Sequence, residues 1–170
     1  MNIKPLSYET LPEAISLVDN IFPYQKDTMY ENARIAFSAS LDQDNPSSRS
    51  LLEQMQITEA NYWVAIDENS GKVVGTTGLY TYAEDEAEAY WLGYTCVDPD
   101  CRGQGIGAKL VDFAIEKARS NDKKFLRLYT SNVPNQAVAQ ILYEKRGLLI
   151  IGEEQIQGSK FKKIYRELKL

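Results

Sequence analysis

The segment Val97-Asp98-Pro99-Asp100-Cys101-Arg102-Gly103-Gln104-Gly105-Ile106-Gly107-Ala108-Lys109-Leu110 constrains the fold more than any other part of the chain. It leaves a strand-like run, passes through spaced glycines and enters an apolar pattern of helical period, so it reads as a strand, a turn and a helix. The first N–H groups of a helix lack intrahelical partners and lie at the positive end of its dipole, which suits a diphosphate. Glycines at 103, 105 and 107 remove the Cβ atoms that would keep a phosphate off the main chain.

Gly103-x-Gly105-x-x-Ala108 also satisfies the loose dinucleotide-binding pattern, with Asp122 near the spacing of a ribose acid. Context disagrees with it: residues 98–102 separate the first glycine from the strand, and Asp122 precedes the next strand instead of ending it. No Gly-x-x-x-x-Gly-Lys-Ser/Thr is present. A glycine-rich turn without a ligand is the plainer alternative.

On the N-terminal side of the loop the pattern predicts a short strand over residues 2–7 and a capping box, Thr10-Leu11-Pro12-Glu13. An amphipathic helix through Leu11, Ala14, Ile15 and Val18 follows, ended by Pro23. Thr28-x-x-Glu31 reads as a second capping box, with a helix to about residue 40; residues 41–48 read as a loop, and residues 49–55 as a short helix. From Tyr62 the period changes to that of a hairpin, residues 62–66 and 73–80 around a polar turn, and after the acidic turn at 84–88 a strand is predicted over 89–97. Alternation places Tyr90 and Tyr94 on one face of that strand and Trp91 on the other.

On the C-terminal side, a helix from Ile106 to about residue 120 leads to a strand at 125–130, a crossover that requires parallel strands. A helix starting at Val133-Pro134 and stopped by Gly147 precedes two strands, 148–155 and 160–168. The expected fold class is therefore α/β, a mixed sheet of about six to seven strands with flanking helices, in one domain over residues 1–170.

With no histidine among 170 residues, Ser-His and Cys-His nucleophilic devices and the usual histidine metal sites are excluded, so no metal is expected. Cys96 and Cys101 read as reduced thiols of a cytoplasmic protein. The net charge of −5 argues against nucleic acid or an anionic membrane as partner. No apolar run reaches transmembrane length and Met1-Asn2-Ile3-Lys4-Pro5-Leu6 lacks the hydrophobic core of a signal peptide, so a cytoplasmic location is expected.

Val-Asp-Pro-x-x-Arg-Gly-x-Gly-Ile-Gly resembles the acetyl-CoA binding motif of the GNAT superfamily of N-acetyltransferases. The segment Asn135-Gln136-Ala137-Val138-Ala139-Gln140-Ile141-Leu142-Tyr143-Glu144-Lys145-Arg146-Gly147-Leu148 is similar to its Asn-x-x-Ala-x-x-Leu-Tyr-x-x-x-Gly-Phe helix. Two departures stand out: Leu148 replaces the aromatic, and Asn135 lies one residue farther from the tyrosine than usual, with Gln136 at the standard distance. The order of elements along nearly the whole chain agrees with the family's sheet, which is splayed after the fourth strand.

The resemblance implies direct attack of an amine on acetyl-CoA, without a covalent enzyme intermediate. Arg102, Gly103, Gln104, Gly105, Ile106, Gly107 and Ala108 would hold the pyrophosphate, main-chain groups near Cys96 and Val97 would pair with pantetheine, and Asn132, Asn135 or Gln136 would meet coenzyme A. Tyr143 would stabilise or protonate the departing thiolate. Glu88, among Glu84, Asp85 and Glu86, is the carboxylate placed to take the ammonium proton, although the family's strand glutamate would fall closer to Trp91; a solvated acidic turn is the competing reading. The acceptor is a small-molecule or peptide amine, and a homodimer is among the expected assemblies. An acyl-CoA-binding sensor or interaction module without turnover is the alternative function.

Overall fold

The computed structural model describes residues 1–23 and 32–170. The capping box expected at Thr28 and Glu31 lies outside the described residues. Seven strands form one sheet in the order β1-β2-β3-β4-β5-β7-β6: β1 (Asn2–Pro5), β2 (Ile57–Ile66), β3 (Val73–Tyr82), β4 (Ala89–Val97), β5 (Phe125–Ser131), β6 (Leu149–Gln155) and β7 (Lys162–Lys169). Every neighbouring pair is antiparallel except β4 and β5, which the crossover helix makes parallel.

Helices α1 (Leu11–Ile21), α2 (Ala33–Ser40) and α3 (Pro46–Gln54) cover one face; α4 (Ile106–Ser120) and α5 (Ala137–Glu144) cover the other. Strand alternation divides the core accordingly. Ala60, Tyr62 and Val64 of β2 pack toward α1–α3, while Trp63 and Ala65 pack toward α4.

Several local expectations are corrected. Thr10 makes no side-chain cap at the start of α1; its hydroxyl accepts from Ser7 N–H, and Glu13 instead accepts from Val73 N–H at 2.9 Å, tying α1 to β3. Helix α3 begins at Pro46, before residue 49, because the Asn45 side chain accepts from Ser47 N–H and Pro46 fills the first helical turn. Strand β2 begins at Ile57 instead of Tyr62. Its early residues lie beyond the reach of β1, and side chains stand in: Gln43 bonds both the N–H and the C=O of Ala60, and Arg49 donates to Thr58 O at 2.8 Å. Val133-Pro134 opens a 3₁₀ turn, Pro134–Gln136, before α5 proper.

The placement of Tyr90 and Tyr94 on one face is also overturned. Between Thr76↔Cys96 and Gly78↔Gly93 the register gains one residue on β4, a β-bulge at which Tyr94 takes φ +45°. Beyond the bulge the parity reverses: Tyr90 and Leu92 pack with α4 and α5, whereas Tyr94 and Cys96 join Trp91 on the α1–α3 face. Thr76 donates from its hydroxyl to Tyr94 O at 2.6 Å, and the hydroxyls of Thr77 and Thr95 lie 2.8 Å apart, so two fully buried threonines of β3 fix the bulge.

Candidate active site

β4 and β5 pair only over residues 89–91 and 125–127, and then part. The sheet therefore opens as a wedge whose closed end lies at the start of both strands. At the open end of β4, Pro99–Cys101 makes a single 3₁₀ turn, Gly103 and Gly105 adopt φ of +76° and +77°, and Gly105 caps α4. The left-handed region is strained for a residue with a Cβ, so the backbone favours glycine at both positions. Lys109 N–H closes the first helical turn onto Gly105 O at 3.1 Å, but among the described residues no main-chain N–H from 103 to 108 donates a hydrogen bond. Those donors lie where the helix dipole is positive. Among the described residues, apart from each glycine's chain neighbours, no atom comes within 4 Å of the position a Cβ would take on Gly103 or Gly105, so the space in front of the turn is open. Arg102 sits on the rim of this turn, its Nε donating to Val97 O at 3.3 Å.

Tyr143 lies in the buried cluster between α5 and the sheet, 8% exposed. Its hydroxyl makes no hydrogen bond among the described residues. Burial pushes the phenol up to about 12; Cys96, near enough to interact with it electrostatically, adds to the rise, and Arg166 opposes it. Burial likewise raises the Cys96 thiol to about 11, partly offset by its contact with Thr76, which leaves a poor nucleophile.

The three polar candidates near α5 are occupied differently. Gln136 Oε1 accepts from Ser131 N–H at 2.7 Å and from the Thr130 and Ser131 hydroxyls, bolting α5 to β5. Asn132 Oδ1 accepts from Lys162 N–H at 2.7 Å, which leaves its amide NH₂. The exposed Asn135 side chain has no partner among the described residues. The carbonyl oxygen of Gln136 is thus spent on the scaffold, as is that of Asn132, and Asn135 stands open to a ligand.

Glu88 lies at the closed end of the wedge, immediately before β4. There Arg127 gathers Asp85, Glu88 and Glu167, each at 2.8 Å, and Asp85 also accepts from Trp91 Nε1 at 2.7 Å. Burial disfavours the guanidinium charge, yet the bonds to these carboxylates outweigh it and hold its pKa above the usual arginine range. The acidic turn is therefore organised as a lock joining the β3–β4 turn to β5 and β7.

Sequence reasoning missed Thr76, Thr77, Arg127 and Arg166. The threonines look like ordinary strand residues. Arg166 carried a signal, since Ile164-x-Arg166-x-Leu168 puts a cation in phase with inward-facing apolar residues.

A mixed sheet parted beside a glycine turn with open amides is the arrangement of the acyl-CoA N-acyltransferase fold class. The family model for the GNAT acetyltransferase domain matches residues 58–147. Over 86 residues, 51% of the chain, it is 38% identical to a probable N-acetyltransferase camello of Xenopus laevis. It is 27% identical over 125 residues to the mycothiol acetyltransferase of Beutenbergia cavernae. The matches span 37% and 40% of those two proteins' lengths. Among solved structures, a chain of the NatC complex bound to Gag peptide and CoA superposes with a TM-score of 0.72 at 19% identity, covering 99% of this chain and 98% of that one. The chain belongs to the GNAT family of acetyltransferases.

Proposed function

We propose that this domain transfers the acetyl group of acetyl-CoA directly to a primary amine. The observation that carries the reading is the uninterrupted series of undonated main-chain N–H groups at 103–108, set on left-handed glycines beside the β4–β5 opening. Charge-assisted bonds from such amides to a diphosphate are the stronger kind, about 1.5–3 kcal/mol each. Arg102 adds a cation at the rim. Asn135 is assigned to the carrier beyond the diphosphate, and the main chain around Cys96 and Val97 to pantetheine, added to the wedge in the manner of a strand.

Acetyl-CoA supplies the activated thioester; the chain's own groups orient it and receive the charge that develops on sulfur. Tyr143, held neutral by burial, donates toward that sulfur. Its pKa of about 12 lies well above the ordinary thiol value of about 8.5, so full proton transfer to a thiolate runs uphill. Hydrogen-bond stabilisation of the developing thiolate is the role that fits. Cys96, a neutral buried thiol, supports a route without an acyl-enzyme.

The acceptor enters from the α1–α3 face, where Tyr94, two residues from Cys96, packs edge-on against Phe37. Such a wall suits an amine carried on a small molecule or a peptide. The test is release of free thiol from acetyl-CoA with a panel of polyamines, amino sugars and peptide N-termini. Saturable release with at least one amine is expected. Binding of acetyl-CoA with no release across the panel would assign an acyl-CoA-binding module instead.

A further inference from the structure

We propose that Arg166 is a positioning residue for Tyr143, its guanidinium fixing α5 at the register that aims the phenol at the β4–β5 opening. The inference rests on the role given to Tyr143 above.

Arg166 stands on β7, opposite Leu128 of β5 and Ile150 of β6, and is only 2% exposed. Each of its three nitrogens is bonded, and every partner among the described residues belongs to α5 or the turn that ends it. Nε donates to Gln140 Oε1 at 2.8 Å, Nη2 to Glu144 Oε1 at 3.0 Å, and Nη1 to Leu148 O at 2.8 Å. These points bracket Tyr143 from three residues before it to five after it.

The last partner is part of a motif built on Tyr143 itself. Leu148 N–H donates to Tyr143 O and Gly147 N–H to Glu144 O, with Gly147 at φ +78°, the Schellman arrangement of a helix C-terminus. By gripping Leu148 O, the arginine holds the turn that in turn holds the Tyr143 carbonyl. Gln140 extends the grip, donating to Ser131 O at 2.9 Å on β5, the other wall of the wedge.

A purely stabilising element has little need of a buried cation. Its single carboxylate partner among the described residues, Glu144, is 62% exposed, and ionic groups in such settings contribute little net stability over apolar ones. What the planar fork supplies is direction, since three divergent bonds set both the rotation and the axial position of a helix with little slack. Helix α5 is short, eight residues, and presents Val138 and Ile141 to the surface at 79% and 53% exposure. Apolar packing alone leaves such a helix underdetermined, and a displacement of about 1 Å at a reacting group costs up to a hundredfold in rate.

The test is a double-mutant cycle in the full chain. Arg166→Lys keeps the charge and loses the fork; Glu144→Ala removes one bond at an exposed side chain, where the fold is not at risk. Each is measured alone and with Tyr143→Phe, recording kcat, the acceptor KM and the Kd of coenzyme A. Arg166→Lys is expected to lower kcat roughly tenfold and Glu144→Ala a few-fold, with KM and Kd unchanged within about twofold. In the Tyr143→Phe background neither is expected to lower kcat further. Additive losses in that background, or losses carried by the Kd of coenzyme A, overturn the proposal while leaving the role of Tyr143 intact. Wild-type turnover in Tyr143→Phe alone refutes the reading of Tyr143, and with it this one.

Discussion

Gly105→Val abolishes acetyl-CoA binding at concentrations that saturate the wild type. Two costs combine. At φ +77° a β-branched residue is strained by about 1–3 kcal/mol, so the turn relaxes and its amides diverge. The new side chain also enters the open space in front of the turn, where none of the described residues beyond its chain neighbours lies within 4 Å of the Cβ position. Losing two charge-assisted bonds at about 1.5 kcal/mol each raises the Kd roughly a hundredfold. The rest of the core is untouched, so the circular dichroism spectrum is retained. Isothermal titration gives the comparison directly, with Gly105→Ala expected to show a smaller loss because it shares the strain and not the bulk. Wild-type affinity in the valine variant would place the diphosphate elsewhere.

Tyr143→Phe lowers kcat roughly a hundredfold and leaves the Kd of acetyl-CoA unchanged, the signature of a donor that matters only as charge develops. The pH dependence follows from the burial that raises the phenol to about 12. A raised pKa keeps the proton on as pH rises, so the donor is intact throughout the neutral range and is lost only as pH climbs through that value. Wild-type kcat is therefore flat with respect to Tyr143 from pH 7 to about 10, and the phenylalanine variant runs parallel below it over the whole interval. A wild-type kcat already halved at pH 10, with no matching fall in the phenylalanine variant, would mean that a group with an ordinary phenol pKa, and not this buried one, carries the effect.

The parts of the fold legible in the sequence were those specified locally. The bounds of β4 at 89–97, the entry of α4 at Ile106 and the parallel crossover to β5 follow from glycine spacing and a change of period. The stop of α5 at Gly147 was equally readable, because a left-handed C-terminus needs that residue. What escaped depends on partners distant in sequence. Glu13 looks like the second half of a capping box, yet its carboxylate is claimed by Val73 N–H, 60 residues away. The start of β2 is set by Gln43 and Arg49, whose side chains replace a missing neighbour strand. The bulge that turns Tyr94 onto the face of Trp91 is fixed by Thr76 and Thr77 on β3, and no period within β4 records it.

The candidate site divides the same way. The glycine turn and Tyr143 are motif residues and stand out from sequence alone. Glu88 was singled out by its position before a strand, and the structure gives its carboxylate to Arg127, a residue that alternation in β5 marks only as polar. The choice among Asn132, Asn135 and Gln136 was open because spacing cannot say which side chain the scaffold consumes. The bonds from Thr130 and Ser131 claim the carbonyl oxygen of Gln136.

The central claim is that the main-chain amides of residues 103–108 hold a diphosphate, and ¹⁵N chemical shifts measure it most directly. On titration with coenzyme A the amide signals of Gly103, Gln104, Gly105, Ile106, Gly107 and Ala108 should move in a saturable way. With pantetheine, which lacks the diphosphate, they should stay in place. Saturable binding of coenzyme A that leaves those six signals unmoved would contradict the account.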